Sequence, residues 1–337
     1  MRVSILGAGA WGTALAIHAA RLAEHEVTLW ARDAAQIAEM RHARRNLRYL
    51  PDVSLPDNLL LSDDFACAAA VGQDGLCILA TTLNGLRPLA NQLADLTQCT
   101  AHIIWLCKGI EVDSLLMPHQ IVADALSNVR GDCDIAVGAL SGPSFAQEVA
   151  HGLPCALTIA TDRADLARRV ITALHSPSMR IYSSTDIVGV ELGGAVKNIL
   201  AIATGIADGM GLGLNARAAL VTRGLKEMTR LGVALGGQAE TFMGLTGLGD
   251  LLLTATGDLS RNRKVGLLLA QEKPLHEILA GLGHVAEGVR CARSVQTLAR
   301  QHQVNVPIID AVCDVLFAQT SPRMALQVLM ARDSRSE

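Results

Sequence analysis

Aromatic residues are scarce. They make up 3% of the 337 residues, too few for the stacked platforms that hold single-stranded nucleic acid. An excess of one charge is also lacking, because 29 Lys and Arg stand against 32 Asp and Glu for a net −3. With no global basic field, any anionic ligand must be met by local positive charge, and nucleic acid is not expected as a partner. The eight cysteines (67, 77, 99, 107, 133, 155, 291, 313) contain no CxxC pair and no regular spacing. Free thiols in a reducing cytosol fit that usage better than a disulfide framework or a zinc site. The ten histidines include no HExxH and no helical i, i+4 pair, so no metal site is expected. Arg2 with the apolar run to Ile17 and Ala19-Ala20 has the outline of a signal peptide. It reads better as strand, glycine turn and helix, and no other uncharged apolar run reaches membrane-spanning length. The expectation is a cytoplasmic protein without membrane insertion. Long linkers, repeats and low-complexity tracts are missing too, while half of the residues are hydrophobic. That supports a sizeable core, and the length suits two domains.

The clearest motif opens the chain. Val3-Ser4-Ile5-Leu6 is a short apolar strand followed directly by Gly7-Ala8-Gly9-Ala10-Trp11-Gly12, and Thr13 to Leu22 has helical periodicity. Val27-Thr28-Leu29-Trp30 makes a second strand. A GxGxxG placed strand–turn–helix–strand is the dinucleotide fingerprint in its required context. Gly7 turns the chain, Gly9 admits the pyrophosphate, Gly12 lets helix and strand pack closely, and the helix N-terminus faces the phosphates. Past the second strand stands Arg32, where NAD-preferring proteins carry an acid. Arg32 can pair with a 2′-phosphate, which favours NADP over NAD. The neighbouring Asp33 keeps NAD open, and Arg32 also reads as an ordinary surface charge.

Strand signals at Leu76–Ala80, Ile103–Leu106, Ile135–Leu140, Ala156–Ala160 and Arg180–Tyr182 alternate with helical segments such as Gly85–Leu96 and Ala164–Leu174. The pattern predicts an α/β, mostly parallel sheet with helices on both faces. Ligands on such sheets sit beyond strand C-terminal ends, where Lys108-Gly109 and Ser141-Gly142-Pro143-Ser144 are found. Ser144 with Gln147 equally fits a helix N-cap and capping box. After about residue 190 strand signals stop, and helices are predicted at 192–208, 215–235, 262–271, 287–302, 307–319 and 323–332. The expected division is 1–190, a dinucleotide-binding domain, and 191–337, an all-helical domain.

Glu191-Leu192-Gly193-Gly194-Ala195-Val196-Lys197-Asn198 opens that second half as a helix apolar round most of its circumference. A lysine there is costly to desolvate unless paired, and the glycines one turn earlier let something approach closely. Snorkelling to water is the alternative. Thr246-Gly247-Leu248-Gly249-Asp250 is a glycine-rich turn ending in an acid, which either caps a helix or holds Lys197 charged and aimed. Ser260-Arg261-Asn262-Arg263-Lys264 starts a helix with an N-cap serine but with cations where the dipole favours anions. A bound phosphate would compensate, meeting backbone N–H groups, the Arg261 fork and the Asn262 amide; a solvated basic turn is the alternative. Together these features point to hydride transfer between a nicotinamide and a small phosphorylated alcohol or ketone, with Lys197 as acid/base.

At this point the chain resembles a known family, the bacterial NAD(P)-dependent glycerol-3-phosphate dehydrogenases, over nearly its whole length. The resemblance rests on Gly7 through Ala16, Asn46 with Tyr49-Leu50-Pro51 and Leu55-Pro56, and Lys108-Gly109-Ile110-Glu111. It continues through Ser141 to Ala146, Gly193 to Asn198, Gly247 to Asp250, Ser260 to Arg263 and Val285-Ala286-Glu287-Gly288. It implies a Rossmann-type domain followed by a helical, 6-phosphogluconate dehydrogenase-like domain. The implied reaction is reduction of dihydroxyacetone phosphate to sn-glycerol 3-phosphate for phospholipid synthesis. Carried over by position, Lys197 is the catalytic acid/base, and Lys108, Gly142, Ser144, Asp250, Ser260, Arg261 and Asn262 surround the substrate. Ala10, Trp11, Arg32, Lys108, Ala146, Arg261, Val285 and Glu287 meet the cofactor, and a homodimer is implied. The sequence departs from the family at Thr81-Thr82-Leu83-Asn84, where a Pro-Ser pair is usual, and at Ala255, where many relatives have Cys. Rival readings are a dehydrogenase of the same architecture acting on a non-phosphorylated hydroxy acid, and a nucleotide-sensing regulator without turnover.

Overall fold

A computed structural model describes residues 1–22, 24–96, 101–127, 134–282 and 286–331. The described chain falls into two compact units, Met1–Cys107 with Pro118–Ile187, and Lys108–Met117 with Val188 onward.

The first unit is built on ten strands: β1 Arg2–Leu6, β2 Glu26–Trp30, β3 Arg45–Asn46, β4 Leu50–Ser54, β5 Leu60–Ser62, β6 Leu76–Leu79, β7 His102–Trp105, β8 Ala136–Ser141, β9 Cys155–Ala160 and β10 Met179–Ser184. Eight of them form one sheet in the order β10-β9-β8-β7-β6-β1-β2-β5, and β3 with β4 makes a separate antiparallel pair. Every pairing in the large sheet is parallel except β8 with β9. The central strands are apolar on both faces, as strands covered by helices on both sides must be. Val3, Ile5, Leu6, Leu76, Ile78 and Leu79 are completely buried. Sequence periodicity foresaw the helix Ala164–Leu174 to the residue. It did not foresee β5, a three-residue edge strand too short to show alternation, or the β3–β4 pair.

That pair has a specific cause. Arg44 ends the helix Ala34–Ala43 in the left-handed region, at φ 47°, and so reverses the chain. Asn46, fully buried, then donates to the Ala8 carbonyl at 3.0 Å and to the Thr13 hydroxyl at 2.8 Å. Gln36 donates to the same Ala8 carbonyl at 2.8 Å. The glycine loop is thus braced from two separate elements.

The second unit is helical. Its central helix, Ile187–Gly209, begins at the last residue of the first unit and is long and apolar enough to cross a membrane. Of its most apolar window, however, 89% is buried inside this chain. Leu192, Val196, Ile199, Leu200 and Ile202 pack in one cluster with side chains such as Met228, Phe242 and Val295. Ile110 and Met117, from the short segment that leaves the first unit, bury in this same cluster. Each contributes on the order of 1.5–3 kcal/mol by leaving water, which is enough to draw Lys108–Met117 into the helical unit. Gly109, at φ 128°, makes the turn that follows Lys108.

Candidate active site

In the first unit, Gly7 has φ 133°, and a Cβ there would stand 2.2 Å from the Ala80 carbonyl oxygen. A Cβ on Gly12 would meet the Gly7 oxygen at 2.0 Å, so neither position tolerates a side chain. Gly9 is different, because among the described residues, its own chain neighbours aside, nothing lies within 4 Å of where its Cβ would be. It caps the helix Ala10–Arg21 without a side-chain hydrogen bond, and no acid stands in that helix's first turn. Open space beside uncapped N–H groups fits a dinucleotide pyrophosphate. Trp11 is half-buried, as is Ala146, which opens the short helix Ala146–Ala150. Arg32 is exposed just beyond β2.

Ser144 does not cap that helix. Phe145 holds the cap position, and the Ser144 hydroxyl donates instead to the Gly142 carbonyl at 3.2 Å. Gly142 itself sits at φ 140°, a conformation that favours glycine. At the departing segment, Thr82 precedes the helix Leu83–Ala94 without a side-chain cap, and the Thr81 hydroxyl lies where a Cβ on Gly85 would be.

The second unit holds the ionisable cluster. Lys197 is 8% exposed and Asp250 2% exposed. The Lys197 ammonium donates to Asp250 Oδ1 at 2.9 Å and to the Thr254 hydroxyl at 2.8 Å. Lys108 donates to the other carboxylate oxygen, Oδ2, at 2.5 Å. One acid therefore anchors two lysines. Burial pulls the Lys197 pKa below the ordinary lysine value; Asp250 opposes this and Lys108 reinforces it. Burial alone would raise the Asp250 pKa, but the two ammonium groups prevail and hold it below the usual carboxylate range. Glu287, half-buried, is pushed upward by burial against Lys108, Lys197 and Arg261.

Asp250 does not end a loose turn. Leu245–Gly249 forms a π-helical turn that runs straight into the helix Asp250–Thr256, and such turns recur at functional sites. Gly193, one turn before Lys197, admits this very segment, since a Cβ there would lie 2.6 Å from the Thr246 carbonyl oxygen. Gly193→Ala is therefore expected to displace the turn carrying Asp250 and to lower kcat by about 10²-fold, although no charge is removed. Steady-state kinetics on a variant with native circular dichroism checks this; an unchanged kcat would show that the turn moves without disturbing Asp250.

Ser260 does cap its helix, Arg261–Leu269, by accepting from the Arg263 N–H at 3.2 Å. Arg263 is neutralised within the chain, by Asp208 at 2.8 Å and Asp258 at 3.1 Å. Arg261 is exposed at the first helical position. Asn262 donates to Asn198 Oδ1 at 2.8 Å and accepts from the Gly288 N–H at 3.0 Å. Two of its amide's hydrogen-bonding positions are thus used inside the protein, and one N–H is left over. Val285 lies outside the described residues. Thr254 escaped the sequence reading, although its spacing of four from Asp250 on an apolar helix was there to be seen. Among the described residues no group of His, Cys, Asp or Glu is placed to hold a metal ion.

A predominantly parallel sheet with a braced glycine loop, in one chain with a helical unit burying a Lys–Asp pair, defines a two-domain dinucleotide-dependent dehydrogenase. The models of the NAD-dependent glycerol-3-phosphate dehydrogenase N-terminus and C-terminus match residues 2–167 and 186–327. The chain belongs to this family. It is 61% identical to a glycerol-3-phosphate dehydrogenase (NAD(P)+) of Herminiimonas arsenicoxydans, over 100% of this chain and 99% of that one. It is 56% identical to the like-named protein of Burkholderia lata, over 100% of both. The crystal structure of glycerol-3-phosphate dehydrogenase from Coxiella burnetii superposes with a TM-score of 0.91 at 38% identity, covering 98% of each chain.

Proposed function

We propose that this chain reduces dihydroxyacetone phosphate to sn-glycerol 3-phosphate, reversibly and with NADPH or NADH, to supply glycerophospholipid synthesis. The observation that carries the reading is the buried Lys197 ammonium, fixed by Asp250 and Thr254 in a chain of this family. When bound, the nicotinamide supplies the hydride. An ammonium has three N–H donors. Two of those on Lys197 are directed at Asp250 and Thr254, so the third is left for the substrate's carbonyl oxygen. That bond polarises the carbonyl, and the proton passes to the oxygen as an alkoxide forms, leaving a neutral amine. The lowered pKa eases the loss of this proton, and the neutral amine takes it back in oxidation. Lys108 keeps Asp250 paired while Lys197 is neutral.

In this reading residues 1–190 are the dinucleotide-binding domain and 191–337 the substrate-binding and catalytic domain, with each lending some residues to the other's ligand. Gly7, Gly9, Ala10, Trp11, Gly12, Arg32, Lys108, Ala146, Arg261, Val285 and Glu287 serve the cofactor, with NADP favoured by Arg32. Gly142, Ser144, Lys108, Asp250, Ser260, Arg261 and Asn262 surround the substrate, which is a small phosphorylated molecule. The enzyme works in the cytoplasm as a homodimer. Loss of reduced-nicotinamide absorbance with dihydroxyacetone phosphate, but not with dihydroxyacetone, is the expected outcome. Turnover of the unphosphorylated compound would favour a hydroxy-acid dehydrogenase, and no turnover with either cofactor would favour a nucleotide-sensing regulator. Arg261→Ala is expected to raise the KM for the phosphorylated ketone by about tenfold or more. An unchanged KM would refute the phosphate assignment.

A further inference from the structure

The glycine-loop unit presents two exposed arginines next to an acid, and the roles assigned above use only one of them. Arg32 stands two residues past the end of β2, after Ala31, and Asp33 follows Arg32. Asp33 is the N-cap of the helix Ala34–Ala43, its Oδ1 accepting from the Ala35 N–H at 3.0 Å and the Gln36 N–H at 3.3 Å. Its other oxygen faces Arg48 at 3.8 Å. Arg48 also lies over the Tyr49 ring, 5.2 Å from the centroid, which limits where its guanidinium can go. The segment carrying Arg48 is tied to the glycine loop, because Asn46 donates to the Ala8 carbonyl, and so is the Asp33 helix, through Gln36.

In a dinucleotide fold the acid after the second strand binds the ribose hydroxyls, or a nearby arginine accepts a 2′-phosphate. Here one oxygen of the acid is taken by helix N–H groups, and the other faces an exposed guanidinium at 3.8 Å. We propose that Asp33 is a helix cap and not a ribose ligand, and that Arg32 and Arg48 together form the 2′-phosphate site of NADP. This rests on the dinucleotide reading of the glycine loop. Arg48 has two effects in this arrangement: it offsets the Asp33 charge that would repel a phosphate, and it supplies a second planar fork.

The test is calorimetric titration of the whole protein with ADP-ribose and with its 2′-phosphate, ligands that carry no nicotinamide and cannot turn over. Arg48→Ala is expected to weaken the phosphorylated ligand by about tenfold and to leave ADP-ribose binding unaltered. Asp33→Asn keeps a good N-cap, so ADP-ribose binding should be unchanged and the phosphorylated ligand should bind as well or better. Weakening of both ligands alike by Arg48→Ala, or of neither, overturns the inference. So does a marked loss of ADP-ribose affinity in Asp33→Asn, which would make Asp33 a ribose ligand. If the unaltered protein bound neither ligand, the dinucleotide reading itself would fall, and this inference with it.

Discussion

Lys197→Met is expected to abolish turnover while leaving NADPH binding nearly intact. Methionine matches the stem of lysine in length but carries no proton and no charge. General acid catalysis contributes typically 10²–10⁴-fold, and polarisation of the carbonyl by the ammonium is lost at the same time. A fall in kcat of about 10³-fold or more follows, measured as absorbance loss under saturating substrate, with cofactor affinity read by fluorescence titration. Folding should tolerate the change, because Asp250 keeps its ion pair with Lys108. The unaltered enzyme supplies an independent check. Reduction needs Lys197 protonated, so its rate should fall with rising pH at a midpoint below the ordinary lysine value of 10.5. Near-normal turnover in the methionine variant would remove Lys197 from the mechanism.

Asp250→Asn should be the more damaging change to the fold. It leaves two ammonium groups, on Lys108 and Lys197, around a neutral amide in a buried site. Removing one partner of a buried ion pair costs about 3–5 kcal/mol, and the urea midpoint at neutral pH should fall accordingly. The deficit should depend on pH. Without its counter-charge, the Lys197 pKa drops further in the folded state while the unfolded value stays ordinary. Between the folded and the unfolded values the unfolded chain then binds more protons, so stability rises with pH across that window. The deficit against the unaltered protein should therefore shrink as pH approaches 10.5. A deficit independent of pH, or no deficit at all, would mean that Asp250 does not keep the lysines charged.

The parts of this molecule legible in the sequence were those governed by local rules. The glycine loop announced itself because three glycines at fixed spacing between a strand and a helix are what close approach of a dinucleotide pyrophosphate and tight helix–strand packing require. The Ser260 cap was likewise local. Lys197 drew notice as a charge in an apolar helix, and Asp250 as an acid on a glycine-rich turn. Neither pattern could say that the acid would serve two lysines, since Lys108 stands 142 positions from Asp250. The brace at Ala8 was hidden for the same reason, as Asn46 reaches it only after a left-handed turn at Arg44. Ser144 shows the limit of such rules: a serine three residues before a glutamine fits a capping box as one of its two readings, yet the helix starts one residue later.

The ten-residue excursion Lys108–Met117 has a consequence for modularity. Because the chain enters the helical unit, returns at Pro118 and enters it again at Val188, the two units are joined by three strands of connection. A gene fusion or exchange at either of the two later junctions would divide the ion cluster, carrying Lys197 and Asp250 to one product and Lys108 to the other. One at the first would part Met1–Cys107 from Pro118–Ile187 within the sheet unit. The two halves of this enzyme are thus bound to be inherited together, since neither carries the complete charge set as one uninterrupted piece of sequence.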